Sequence, residues 1–175
     1  MAVEHVFSTP ITNETSVPAV ANSTGQGAAG ELREVSATAT FLASSSQNST
    51  YRYVRVPTNA KVKSVKFASE AQAAGTVDIG VYYPTIGKTA KADLAANAIE
   101  QNYFADAIAV TSASALTEML GDAGSGWNPS EINTPLWQAL GLSSDPGGFF
   151  DIVGTIDTAV TTGTGRTCLS VRYVV

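Results

Sequence analysis

Few side chains in this 175-residue chain are of a type that performs acid–base, nucleophilic or metal chemistry, and their placement works against it. General acid–base catalysis needs a histidine or a pair of carboxylates in a pocket, and a Ser–His–Asp relay needs a histidine outright. The sole histidine, His5, lies in a Ser-, Thr-, Asn- and Pro-rich stretch where a solvated residue is expected. No Gly-x-Ser-x-Gly elbow leads a helix, and no His and Cys are spaced for zinc. Asp145, Asp151 and Asp157 lack the Asp/Asn/Gly alternation of a calcium loop, so they read as turn and surface carboxylates. The Gly121-Asp122-Ala123-Gly124-Ser125-Gly126 run lacks the Lys-Ser/Thr that completes a phosphate-cradling loop, and reads as a surface loop. Cys168 is alone, cannot form an internal disulfide, and is expected as a small buried filler in the last strand. The expectation is a protein that is not an enzyme and carries no catalytic residues, no metal and no cofactor.

The elements around these residues are strands. Tyr51–Val56, Val62–Ser69 and Thr76–Tyr83 are β-branched or aromatic runs, separated by Pro57-Thr58-Asn59-Ala60 and by a segment ending in Gly75. Their two-residue alternation predicts a sheet with one dry and one wet face, half of a β-sandwich. Val65 and Phe67 are expected on one face with Lys63, opposite Ser64, Lys66 and Ala68. Val77, Ile79, Val81 and Tyr83 are expected opposite Thr76, Asp78, Gly80 and Tyr82. An earlier strand is predicted within Glu31–Ala43, with Leu32, Val35, Ala37, Ala39 and Phe41 inward and Ser36, Thr38 and Thr40 outward. The chain is expected to close as a hairpin of Phe149–Ala159 and Arg166–Val175. Residues 1–30, rich in small polar residues, read as an extended N-terminal arm, leaving 31–175 as the sandwich domain.

Helical signals are short. Lys88–Ile99 is Ala-rich, Asn102 is placed to cap a helix over Tyr103–Ile108, and Ser114 one over Ala115–Leu120 stopped by Gly121. Thr134-Pro135-Leu136-Trp137-Gln138-Ala139-Leu140-Gly141 has Pro and Gly where a compact helix begins and ends, and would sit as a lid on the sandwich. The fold class expected is all-β: an antiparallel β-sandwich or jelly roll with one to three short helices in its connections.

Charge is unevenly spread. Arg52 to Lys91 holds seven basic residues against Glu70 and Asp78, while Asp93 to Gly165 holds nine acids and no Lys or Arg. Such halves either pair within one molecule or meet head to tail between molecules. The net charge of −5 argues against coating nucleic acid. No basic segment leads an apolar run and no stretch is long and apolar enough to span a bilayer, so a soluble protein without a secretory signal is expected.

Arg55-Val56-Pro57-Thr58-Asn59-Ala60-Lys61-Val62-Lys63-Ser64-Val65, Gly75-Thr76-Val77-Asp78-Ile79-Gly80-Val81-Tyr82, Pro135-Leu136-Trp137-Gln138-Ala139-Leu140-Gly141-Leu142 with Asp145-Pro146-Gly147, and Leu169-Ser170-Val171-Arg172-Tyr173-Val174 together resemble a family of small virion proteins of tailed bacteriophages. These are structural residues without chemistry. The family's Asp-Leu-Phe-Ala-type segment has two candidate counterparts, Asp93-Leu94-Ala95 and Phe104-Ala105, separated by an apparent insertion, and the arm has no clear counterpart. The resemblance implies a head decoration, or cement, protein that stabilises the capsid by binding the outer surface of the major capsid protein lattice. It would be made in the host cytoplasm, reside on the capsid exterior, and form dimers or trimers without contacting nucleic acid or membrane. Arm residues Val6, Phe7 and Ile11 and strand residues Lys61, Lys63 and Lys66 are the expected contacts. A tail or neck component is the alternative within the same class. A jelly roll stacking sugars on Tyr51, Tyr53, Tyr82, Tyr83 or Trp127 is the alternative outside it, although most of these rings are expected to be buried.

Overall fold

Eight strands form two four-stranded sheets in the computed structural model, which describes residue 18 and residues 31–42, 45–84, 98–160 and 165–175. They are β1 (Leu32–Phe41), β2 (Thr50–Pro57), β3 (Lys61–Ser69), β4 (Thr76–Tyr82), β5 (Ala98–Ala109), β6 (Thr117–Glu118), β7 (Phe149–Thr158) and β8 (Gly165–Val174). One sheet runs β1-β8-β3-β6 and the other β2-β7-β4-β5. Four of the antiparallel pairings, β1 with β8, β2 with β7, β3 with β6 and β4 with β5, are those of one long hairpin closed between β4 and β5. Rolling that hairpin up lays β3 beside β8 and β4 beside β7, the two remaining ladders. The result is an eight-stranded jelly roll, in which strands exchange sheets as the chain advances.

That exchange corrects two expectations. The three central strands are not one layer, because β2 and β4 share a sheet while β3 lies in the other. Nor do β7 and β8 form a hairpin; each pairs within a different sheet. Alternation fixes which side chains point inward but not which strand lies alongside, and a short turn serves a sheet-to-sheet corner as well as a hairpin.

The space between the layers is filled by Phe41, Phe67, Ile79, Phe104, Phe150, Ile152, Ile156 and Leu169, none more than 1% exposed. Each such side chain contributes about 1.5–3 kcal/mol by leaving water. In β1 the forecast alternation holds from Val35 to Phe41, with Ser36, Thr38 and Thr40 exposed, but Leu32 falls on the outward phase and is 58% exposed. In β3 a bulge between Val62 and Ser64 shifts the phase, so Val62, Val65 and Phe67 face the core and Lys63 does not share their face. Cys168 is only half-buried, on β8 between Thr38 of β1 and Ala68 of β3, and so lies on the outer face of its sheet rather than in the core.

The helical expectations fail where backbone pairing was available instead. Tyr103–Ile108 lies within β5. Ala115–Leu120 contains no helix; its Thr117–Glu118, which is β6, pairs with Lys66 and Phe67, and the Ser114 hydroxyl accepts from the Ser69 N–H. Weak local helix signals lose to a sheet edge that satisfies the same backbone groups. A 3₁₀ turn, Pro129–Asn133, is closed by a capping box between Asn128 and Glu131. One helical turn, α1 (Leu136–Ala139), follows where a compact helix is forecast, with Pro135 rather than Thr134 at its cap. It docks on the β2–β3 corner through Leu136 N–H to Ala60 O and Trp137 N–H to Thr58 O, so it does cover one end of the sandwich. The Lys88–Ile99 expectation falls largely outside the described residues.

Candidate interaction surface

A sandwich normally leaves the outer face of each sheet wet, and here the two outer faces differ. On the β2-β7-β4-β5 sheet, Asp78 and Tyr82 of β4 and Asp151, Val153 and Thr155 of β7 are all buried, against the expected wet face. The cause is in β5. Between the pairs Ile79–Ala105 and Val81–Glu100, β4 advances two residues while β5 advances five. The surplus backbone passes over the outer side of β4 at Gly80, where a Cβ would stand 2.1 Å from the Gln101 carbonyl oxygen. Glycine is required there by that close approach.

Burying this face requires each polar group to find a partner. The Asp78 carboxylate accepts from the Ala107 N–H at 2.8 Å and from Gln101 Nε2 at 2.7 Å, and Ala107 is held at a φ of +48°. Burial pushes the Asp78 carboxyl above its ordinary range, outweighing those two hydrogen bonds, with Asp157 and Asp106 adding to the rise. The Tyr82 and Thr155 hydroxyls bond at 2.6 Å. Asp151 accepts from Arg55 Nε at 2.6 Å and from Arg52 Nη1 at 3.0 Å, while the Arg52 guanidinium also lies 5.4 Å from the centre of the Tyr82 ring. Arg52, Tyr53, Val54, Arg55 and Asp151 line an open depression of about 260 Å³ whose charges are already matched.

A second polar cluster closes the α1 end. Tyr103 donates its hydroxyl to Glu131 Oε2 at 3.0 Å, and the same oxygen accepts from the Asn128 N–H. Burial raises the Tyr103 hydroxyl, and its bond to Glu131 adds to that. Glu100 is held above the usual carboxylate range by burial and then by Glu131. The adjacent cavity, between Tyr103, Trp127, Glu131 and Leu136, measures about 10 Å³, room for one water at most.

The other outer face is open. Ser36, Thr38 and Thr40 of β1 and Arg166 and Arg172 of β8 are exposed, and Ser64, Lys66 and Ala68 of β3 half-exposed. Its carboxylates pair at the surface: Glu34 with Arg172 at 2.9 Å and with the Ser170 hydroxyl, and Glu70 with Arg166 at 2.7 Å. Both are held below the usual range, Glu34 chiefly by Ser170 and Arg172 and Glu70 chiefly by Arg166.

Of the residues expected to make contacts, Lys61, Lys63 and Lys66 are half-buried on β3, an interior strand of its sheet. Lys63 donates to Ile132 O and Asn133 Oδ1, both at 2.6 Å, so it anchors the 3₁₀ turn. Burial, and then Lys61, lower its ammonium. Val6, Phe7 and Ile11 lie outside the described residues. The Arg52 and Arg55 bonds to Asp151 join the basic and acidic halves within one molecule. Asp145 caps its own turn by accepting from the Gly147 N–H, and Asp157 accepts from Thr76, so the three aspartates do not converge. Among the described residues no group of three or more His, Cys, Asp or Glu is placed to hold a metal ion. Tyr51 bonds the Ser45 hydroxyl, Tyr53 bonds Thr167 and Tyr82 is buried; Trp127 is half-buried, leaving Tyr83 as the exposed ring of those five.

No protein-family model matches the chain, and no curated protein matches its sequence. A solved structure is similar in fold. It is a chain of the cyanophage Pam1 capsid asymmetric unit, similar with a TM-score of 0.51 and 17% identity over 92% of this chain and 96% of that one. What the two share is the fold.

Proposed function

We propose that this chain is a structural protein of a tailed-bacteriophage virion that decorates and stabilises the capsid by binding the outer surface of the major capsid protein lattice. The observation that carries the reading is the likeness, over nearly the whole of both chains, to a protein of a phage capsid asymmetric unit. It is supported by the resemblance of the β2–β3, β4, α1 and β8 segments to small phage virion proteins, and by polar groups that satisfy one another instead of converging on a pocket. Such a body acts by adhesion. Bound across neighbouring shell subunits, it adds buried area that internal pressure must also break. The arm would extend this reach, ordering on a neighbour through Val6, Phe7 and Ile11, with Lys61 and Lys66 as further contacts.

Counting copies in purified virions by quantitative mass spectrometry tests the proposal. Decoration requires copies in the hundreds, spread over the lattice, whereas about a dozen would assign the chain to a tail or neck. Absence from particles would reject both. Deleting residues 1–30 is expected to lower occupancy while leaving the sandwich folded, and undiminished occupancy would remove the arm from the mechanism.

A further inference from the structure

An exposed strand edge presents unpaired N–H and C=O groups, and folds usually blunt it. Of the four sheet edges here, three are blunted. β6 is two residues long; β5 breaks register with its neighbour three times; β2 carries a bulge between Arg52 and Val54 and ends in Pro57, which has no N–H. β1 is different. Its ten residues pair with β8 in unbroken register, it contains no Pro or Lys, and no described strand pairs with its other edge.

We infer that β1 is a self-association edge, pairing antiparallel with β1 of a second copy across a twofold axis through Ala37, so that two sheets become one. The strand's own pattern selects this register. Leu32 and Leu42, 58% and 60% exposed, share the outward phase, and pairing about Ala37 sets each against the other's counterpart. The same register opposes Ser36 with Thr38 and Glu34 with Thr40 on the outward phase and Val35 with Ala39 on the inward one, with Arg33 opposite Phe41, so each phase of one copy meets the same phase of the other. Charge does not oppose it, because Arg33 is paired with Glu31 and Glu34 with Arg172 within each molecule. The Leu42 N–H already donates to the Tyr51 hydroxyl, so the ladder ends at Thr40. About eight backbone hydrogen bonds remain, within the range of a standard protein interface. This pairing belongs to the isolated protein and stands whether or not the chain resides on a capsid.

The test is sedimentation of the full chain up to about 100 micromolar, where even a weak specific association is populated. A dimer is expected; a monomer throughout, or a trimer, overturns the inference. In a C168S background, A37C is expected to link to itself under mild oxidation. V35C, facing Ala39 of the other copy, is expected not to. Equal linking by both, or by neither, overturns the register. S36K/T38K sets lysines opposite each other twice and should leave only monomer, with a far-UV spectrum and melting temperature unchanged from those of wild-type protein diluted to monomer. A dimer that survives this change also overturns the inference.

Discussion

The two sheets share one core yet treat their outer faces in opposite ways. The β2-β7-β4-β5 sheet is covered by its own chain, and its charges and hydroxyls are paired beneath the surface. The β1-β8-β3-β6 sheet shows Ser, Thr and paired charges to water along a regular edge. One side is therefore intolerant of change and committed to holding the body rigid, and the other is tolerant and available for contact. The physical difference is whether a polar group's partner is protein or solvent, since only the former is lost on substitution.

The largest effect is expected at Gly80. G80A places a methyl group against the Gln101 backbone, which cannot swing aside as a side chain would, and should cost about 3 kcal/mol in urea unfolding. A loss below 1 kcal/mol would mean that β5 does not cross there. Next comes D151A, which strips two guanidinium groups of a carboxylate only 5% exposed. Because Arg55 is 43% exposed and can turn to water, the expected loss is about 2 kcal/mol rather than the full cost of a broken buried pair.

Acid–base titration should divide the sheets by sign. Asp78 and Glu100 hold their protons more tightly folded than unfolded, so their contribution is fully present below the unfolded pKa and is lost as pH rises through the folded one. Glu34 and Glu70 behave oppositely, contributing above the unfolded pKa and losing it as pH falls through the folded one. D78N should therefore flatten any fall in melting temperature from about pH 4 upward, and E70Q any fall below about pH 4. Identical pH profiles for the two variants would erase the contrast. The smallest effect is expected at Thr38: T38S changes monomer stability by less than about 0.5 kcal/mol, as usual for an exposed site. A larger loss would show this face to be covered as well.

Much of the fold is legible in particular stretches. Val35 to Phe41 announces its inward set by alternation alone, and Ile152 with Ile156, and Leu169 with Val171, do the same. Asn102 and Ser114 mislead, because a cap-forming side chain is equally able to bond within an irregular strand, as Asn102 does to Asp106, or across a sheet edge, as Ser114 does to Ser69. The covered face of β4 was not legible. Thr76, Asp78, Gly80 and Tyr82 read as a wet face, and the one clue was Gly80, since glycine within a strand marks a close backbone approach. The edge position of β1 among the described strands could not be read either, because being at an edge depends on where every other strand goes.

The amino-acid sequence by itself determined six of the eight strands, all but β5 and β6, and many of their inward-facing side chains, because alternation and turn residues act over a few neighbouring positions. It also shows a single histidine and a single cysteine. Only the tertiary structure decided which strands share a sheet, that β5 lies across Gly80, and that no described strand lies beside the outer edge of β1. Those outcomes are set by backbone groups that are chemically alike along the chain and acquire their partners from segments as much as a hundred or more residues away.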